Sequence, residues 1–427
     1  APATPPVDHD SGQAEVDAGQ PAIDAGHVQP DEDSGSPDPG LTGSCAIDSN
    51  KIFTVVERDE PFLDTPLAVD PINSRFVLPY VGDGDCLQAV FMAGLIGAAD
   101  GGAPVSDKAI DECSLVLGAS AAAISGKWLV ALVDNRDPPY DLWIEPYDPI
   151  HKTTGSAVRI TQSETVEHEL AIATLRDGDH AMLAWSDEDP KAGQALYVRP
   201  LDSSGTPTGD AVQIDHSSTR YFRGLALTEL GASGAGFAYL RYSLDFTTSD
   251  VVFVALDANG KALRDPWLLA SNAGPSASVS LANDENGGGI VYARAEATSG
   301  RQLWFQQIDD SGQAAAPRSD ASRAPPLRFV NSPFKGIDVS IAKLSTSFVV
   351  TYRSLPAGDQ DRAEIKLYFL DRFGAVIGGS SVSYTSATGG RTAVRSANDG
   401  RIVIGWNEVE DDGKSATKLV RLPCVGG

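Results

Sequence analysis

An all-β chain assembled from one repeated unit is what three features of the sequence predict. A hydrophobic run reaches the same place in a pattern at Tyr80, Val133, Trp185, Tyr239, Tyr292, Tyr352 and Trp406, at spacings of 53, 52, 54, 53, 60 and 54 residues. Six of these seven reference positions are Tyr or Trp in a chain with only 7% aromatic residues, so the recurrence is positional and not compositional. Self-similarity at a fixed period of this length marks a repeat architecture. An Asp-x-x-Gly turn recurs in phase, as Asp202/Gly205, Asp257/Gly260, Asp309/Gly312 and Asp371/Gly374, with a longer version from Asp148 to Gly155. Each unit divides into four short apolar segments bounded by turn residues, the pattern of an antiparallel sheet.

The stretch from Glu169 to Ile214 serves as the model unit. Residues 169–174 alternate and read as a first strand, and Asp177-Gly178-Asp179 supplies turn chemistry. Residues 180–185 are a second, more apolar strand, and residues 195–201 a third. Asp202 to Gly205 then reverses the chain, because Asp bonds its own backbone and Gly accepts positive φ. Residues 210–214 complete the unit. These aspartates are expected to build turns, not to bind metal.

One four-stranded sheet cannot bury both its faces. Radial packing buries each sheet against its neighbours and leaves only short edges. The predicted fold is therefore a seven-bladed β-propeller of four-stranded antiparallel blades over residues 45–427. The repeat resembles propeller repeats in general. Kelch-type repeats have a comparable period, but no Trp-Asp dipeptide and no in-register double glycine ties the chain to a named subfamily.

The last unit has three strand-like segments, ending near Leu422, and residues 51–56 precede the first complete unit without a partner there. The N-terminal segment is expected to supply the outer strand of the last blade, since an open ring would expose a long sheet edge. The propeller geometry then pairs Cys45 with Cys424 as a disulfide staple and leaves Cys86 with Cys113. A loop of that length would stabilise the domain by about 4–5 kcal/mol in loop-closure models. No Cys-x-x-Cys or Cys/His spacing suggests zinc.

Residues 1–44 contain nine acidic residues and seven prolines but no Lys, Arg or aromatic residue. Such a segment cannot bury enough apolar surface to offset its ordering entropy, so it is expected to be a disordered spacer. Its near-repeats at 16–19 and 23–26 (Val/Ile-Asp-Ala-Gly) resemble the tails of secreted proteins and lipoproteins of myxobacteria. That resemblance implies an extracellular, periplasmic or outer-surface location and allows a lipid anchor upstream of Ala1. No stretch is long and apolar enough to span a membrane. The net charge is −25, of which the tail carries −9 and the remaining 383 residues −16. That balance argues against nucleic acid, which needs basic surface.

In this architecture the loops after second strands and before first strands share the face at the channel mouth. Acidic residues recur there, and Asp83, Asp85, Asp187 and Asp189 are the candidates for a calcium site, though none has the spacing of a tight calcium loop. Arg241, Arg294 and Arg353 follow three consecutive reference aromatics and could clamp an anion through bidentate hydrogen bonds. Sialidases, also propellers, use an arginine triad, but their Ser-x-Asp-x-Gly-x-Thr-Trp box is absent. Tyr140, Trp143, Tyr221, Phe222, Tyr242 and Phe246 lie in or near these loops and could grip a sugar or a protein, with Tyr140, Tyr242 and Phe246 the chosen candidates. Nucleophile-elbow, zinc-protease and phosphate-loop motifs are all missing. The sequence thus favours a non-enzymatic binding module taking a protein or glycan at its acidic rim, without a required cofactor. The alternatives are a polysaccharide hydrolase or lyase using channel-mouth carboxylates, and a structural subunit of an extracellular assembly.

Overall fold

Short alternating segments joined by Asp/Gly turns can only meander, and each repeat does so. A computed structural model describes residues 41–42, 47, 52–58, 67–70, 75–83, 88–95, 105–112, 116–135, 140–162, 166–189, 191–232, 234–274, 277–284, 287–296, 300–315, 327–332, 338–354, 363–384, 392–409, 414–422 and 425–426. The proposed spacer through residue 40 and all four cysteines, Cys45, Cys86, Cys113 and Cys424, lie outside the described residues.

The chain forms a β-propeller of four-stranded antiparallel blades. Blade 1 holds Ala68–Asp70, Arg75–Asp83, Gln88–Leu95 and Val105–Glu112. Blade 2 holds Val116–Ile124, Lys127–Asp134 and Asp141–Asp148, with its outer edge split into Thr153–Thr154 and Val158–Arg159. Blade 3 holds Val166–Thr174, His180–Asp189, Gly193–Asp202 and Val212–Ser217. Blade 4 holds Arg220–Leu230, Gly234–Ser243, Ser249–Leu256 and Trp267–Ala270. Blade 5 holds Ser278–Asp284, Gly287–Glu296, Gly300–Ile308 and Leu327–Ser332. Blade 6 holds Val339–Lys343, Ser347–Ser354, Ala363–Asp371 and Val376–Tyr384.

The sequence leads one to expect seven like blades, and six are of that consecutive kind. The last repeat differs in construction. Its sheet is composite: Thr392–Ser396, Ile402–Val409 and Ser415–Leu422 are joined on the outside by Ile52–Arg58 from the other end of the chain. Beyond it, Leu41–Thr42 pairs with Val425–Gly426.

Apolar clusters lie between successive sheets, so each sheet is glued face to face with its neighbours. Met182, Ala184 and Val198 of blade 3 meet Phe222, Phe237 and Tyr239 of blade 4. Leu240 and Phe253 of blade 4 meet Ile290 and Tyr292 of blade 5, and Val291 and Phe305 of blade 5 meet Phe348 and Tyr352 of blade 6. The reference aromatics therefore share one job: each packs against the preceding blade. Burying one such ring stabilises the fold by about 1.5–3 kcal/mol. A further cluster joins Leu67, Phe76 and Leu78 of blade 1 to Ala393, Val403 and Leu419 of the composite sheet.

Innermost strands have one edge with no ladder partner, and side chains from the adjoining sheet satisfy it. Ser278, Ser280 and Ser340 hydroxyls accept the backbone N–H groups of Val339, Ile341 and Val394 at 3.1, 3.2 and 3.0 Å. In the other direction, Thr174, Asn283 and Ser396 donate to the carbonyls of Ala123, Glu229 and Lys343. Innermost strands touch in succession from blade 1 through blade 6 to the composite sheet, and that sheet's innermost strand touches blade 1.

The recurring aspartates are turn formers, as expected. Asp309 Oδ1 accepts the N–H groups of Ser311 and Gln313 at 2.9 and 2.8 Å, and Asp202, Asp257 and Asp371 repeat the arrangement. Their glycines have a second role that sequence alone does not disclose: each presses on the preceding blade. A Cβ on Gly312 would lie 2.8 Å from Leu230 Cδ2 and 2.9 Å from the Ala255 methyl. Gly260 approaches Val198, Gly205 approaches Ile144 and Gly374 approaches Phe305 in the same way.

This double constraint is separable by mutation. Gly178 has φ +74° with open space around it, and Gly312 has φ +73° in contact. Gly178→Ala should cost only the left-handed backbone penalty of about 1–2 kcal/mol. Gly312→Ala should add an overpacking cost of about 1–3 kcal/mol. Denaturant midpoints of the two variants read the difference, and equal losses would rule out the wedge.

Candidate functional site

On blade 4 the first and second strands place Tyr221 and Tyr242 directly opposite each other. The loop from Ser243 to Ser249 then folds back over them. Ser243 N donates to Thr248 O at 2.9 Å and Phe246 N donates to Ser243 O at 2.9 Å, closing two turns in six residues. Asp245 Oδ1 gathers the Ser243 hydroxyl (2.6 Å), the Thr247 hydroxyl (2.8 Å) and the Thr247 N–H (3.1 Å). This knot holds Phe246 at φ +55°, a left-handed conformation that a bulky residue adopts only when its surroundings impose it.

Phe246 stacks on Tyr221 at 5.0 Å between centroids and 7° between planes, and leans on Tyr242 at 5.7 Å and 44°. Phe246 remains 42% exposed and Leu244 beside it 53%, so the loop presents an apolar, aromatic surface to solvent. Tyr242 is buried beneath, with its hydroxyl donating to Ala277 O at 3.2 Å. Polar groups border the platform: the Arg223 guanidinium lies 6.0 Å from the Tyr221 ring, and Glu169 of blade 3 lies 3.8 Å from Arg223 Nε. Glu169 also accepts the Gly224 N–H, where blade 4's first strand shifts register. Bulges of this kind commonly re-aim side chains beside sites.

Of the six ligand residues the sequence suggests, the structure brings Tyr242 and Phe246 together and separates the rest. Arg241 and Arg294 each lie two residues past a reference aromatic and share its face, toward the preceding blade. Arg353 lies one residue past Tyr352, so strand alternation turns it to the opposite face. The register thus puts Arg241 and Arg294, but not Arg353, on like faces of their sheets. Arg241 instead ties two blades: its Nη2 and the Tyr239 hydroxyl both donate to Asp215 of blade 3 at 2.7 Å. Burial first, and the Asp215 carboxylate next, push the Tyr239 hydroxyl well above the ordinary tyrosine range. Tyr140 packs against the core between blades 2 and 3, away from the blade 4 platform. Tyr221, one of the loop aromatics the sequence offers, is the ring on which Phe246 rests.

The rim acids are largely occupied by local structure. Asp189 caps Lys191 N at 2.7 Å, Asp250 accepts Asn272 N at 3.2 Å, and Glu408 meets both Trp406 Nε1 and Lys418. Asp134 and Asp141 face each other across two strands of blade 2, fully buried. Asp141 is engaged by Arg159 and Thr161, which pin the split outer edge of that blade. Among the described residues, no three His, Cys, Asp or Glu side chains come together as metal ligands. Asp187 and Asp189 sit two apart on one strand; Asp83 is the last residue of its strand, and Asp85 lies outside the described residues.

Acid should dismantle the platform loop. Hydrogen bonding, foremost from the Ser243 hydroxyl, lowers the Asp245 carboxyl from 3.8 to about 2. A lowered folded-state value makes the contribution complete above the ordinary value, weaker below it, and absent once the pH has fallen through about 2. Ring NMR signals of Tyr221 and Phe246 should hold their stacked shifts down to about pH 4 and lose them between about 4 and 2. Asp245→Ala should show the open loop at neutral pH, and unchanged rings in that variant would refute the role given to Asp245.

No family model and no curated protein matches the chain. Among solved structures the chain is similar to a phage phi92 endosialidase, 10% identical with a TM-score of 0.49, covering 87% of this chain and 68% of that one. It is also similar to a subtype N10 neuraminidase-like protein of A/little yellow-shouldered bat, at 11% identity and a TM-score of 0.42 over 88% and 99% of the two chains. A third likeness is to a Trypanosoma rangeli sialidase, at 11% identity and a TM-score of 0.38 over 90% and 59%. At these identities and scores the likeness carries nothing about the site.

Proposed function

We propose that this chain is an exported, non-enzymatic binding module that takes a glycan on the aromatic platform of blade 4. The observation that carries the reading is Phe246, held in an uncommon backbone conformation and stacked on Tyr221 while its outer face stays in solvent. An exposed flat ring suits the apolar face of a pyranose, and Arg223, Glu169 and the loop hydroxyls suit its hydroxyl groups. Aromatic anchors of this kind carry most of the energy at binding surfaces. The test is a glycan array with the intact chain, followed by titration of the best binder. Phe246→Ala should weaken binding about tenfold or more, equivalent to about 1.4 kcal/mol. Unaltered affinity in that variant would sink the reading, and a chain that binds only a protein would reassign the platform to a protein partner.

On the same reading the composite sheet is the seventh and closing blade, and the ring is locked by a Cys45–Cys424 disulfide, leaving Cys86 with Cys113. Support comes from the two strand pairings that flank the first pair of cysteines. Thr42 pairs with Val425, and Ile52 pairs with Val420. An oxidising compartment outside the cytoplasm follows from such a staple. Peptide mapping of the unreduced chain should recover Cys45 linked to Cys424. Free thiols at both positions, or any other linkage, would overturn the closure and the compartment together.

A further inference from the structure

Reading across the ladder between first and second strands aligns one position in every sheet: the residue opposite the position three before the reference aromatic. In the six consecutive blades that residue is Ala68, Ala121, Ala173, Thr228, Ala282 and Ala342. In the composite sheet it is Arg395, opposite Val403. Five alanines and a threonine are thus answered by one arginine on the innermost layer.

The guanidinium lies along the inner, unpaired edge. The Val394 N–H donates to the Ser340 hydroxyl at 3.0 Å, so the backbone polar groups of Val394 point away from the second strand. Arg395 Nη1 donates to Val394 O at 2.8 Å and reaches Ser340 Oγ at 3.4 Å. That places the charged group beside the channel that innermost strands surround in this fold. Its Nε and Nη2 donors have no partner among the described residues, and no described carboxylate pairs with it. Four other arginines meet carboxylates instead: Arg176 pairs with Asp310, Arg223 with Glu169, Arg241 with Asp215 and Arg159 with Asp141. Burial alone lowers Arg395 to about 10, which leaves it cationic at neutral pH but uncompensated. A half-buried cation without a charged partner is costly, and a counter-ion relieves that cost.

We infer that Arg395 holds a small oxyanion, a carboxylate or phosphate, inside the channel. The planar guanidinium offers its two remaining donor positions side by side, the geometry that grips a carboxylate or phosphate edge. The Ser340 hydroxyl beside it provides a third donor. The alanines at the equivalent level leave room for a small ion and exclude little else. This site is separate from the blade 4 platform and does not rest on it.

The test uses the full chain in Tris chloride at constant ionic strength, titrated with sodium phosphate in one arm and sodium acetate in the other. The wild type should show a saturable rise in its denaturant midpoint in at least one arm. Arg395→Ala, the residue that most sheets carry here, should lose that response and should be at least as stable as wild type before the anion is added. Arg395→Lys, which keeps the charge but not the fork, should bind at least tenfold more weakly. A response in phosphate alone marks a phosphate site, and one in acetate alone a carboxylate site. Equal responses in wild type and Arg395→Ala, or no saturable response in the wild type in either arm, would overturn the proposal. Direct calorimetric titration of the wild type with phosphate and with acetate measures the same binding without relying on a variant that folds poorly, and no saturable heat with either anion would overturn it equally.

Discussion

Every innermost strand in this molecule faces the same constraint: one row of its backbone N–H and C=O groups has no strand to pair with. A buried donor left unmade costs about 1–3 kcal/mol. The chain meets this with short hydroxyl and amide side chains from the adjoining sheet, at Ser278, Ser280, Ser340, Thr174, Asn283 and Ser396. Those bonds reach only if adjacent innermost strands approach closely. Close approach in turn requires small residues on that layer, which is why alanine dominates it. It also fixes the distance at which the outer apolar faces interlock, so Tyr239, Tyr292 and Tyr352 can fill the space toward the preceding blade.

That hierarchy explains what is legible in the sequence and what is not. The reference aromatics are large, alike in their task and set at one structural level, so their period survives in one dimension. The Asp-x-x-Gly turns are local, and their hydrogen bonds close within five residues. Register is a different matter. First strands carry irregularities between Val116 and Gly118, Glu167 and Leu170, and Arg223 and Ala226. Counting along the chain therefore does not preserve equivalence between sheets. Arg353 is a separate case: with no irregularity between its strands, a single residue of offset from its reference tyrosine sends it to the other face. Arg395 is hidden from one-dimensional counting because hairpin length varies, so its equivalence to alanines appears only across the ladder.

The aromatic platform is half legible. Tyr221, Tyr242 and Phe246 all stand out as aromatics near a loop, but Tyr221 lies 25 positions from Phe246, so their stacking is not visible along the chain. The usable local signal is Ser243, Asp245 and Thr247, an alternation in which one carboxylate can collect two hydroxyls and a backbone N–H. The acids of the channel-mouth loops mislead in the opposite direction. Their number suggests a charged rim available to ligands, yet many hold loops closed or bind a neighbouring blade. On the opposite face, Arg176 grips both oxygens of Asp310 at 3.0 and 2.7 Å from a turn two blades away. Asp310 also accepts the Gly231 N–H of the blade between, so one carboxylate links three blades.

The sheet that departs from the pattern is also the one where the arginine stands. Blade 1 contributes an innermost strand of only three residues, Ala68–Asp70, whereas the described innermost strands elsewhere run to five or more. The composite sheet therefore meets a short partner where its own innermost strand touches blade 1. The Arg395 side chain turns back along its own strand, with its guanidinium on Val394 O and beside Ser340 of blade 6. The one sheet assembled out of both chain ends is thus also the one in which the otherwise small-residue innermost layer carries a charge.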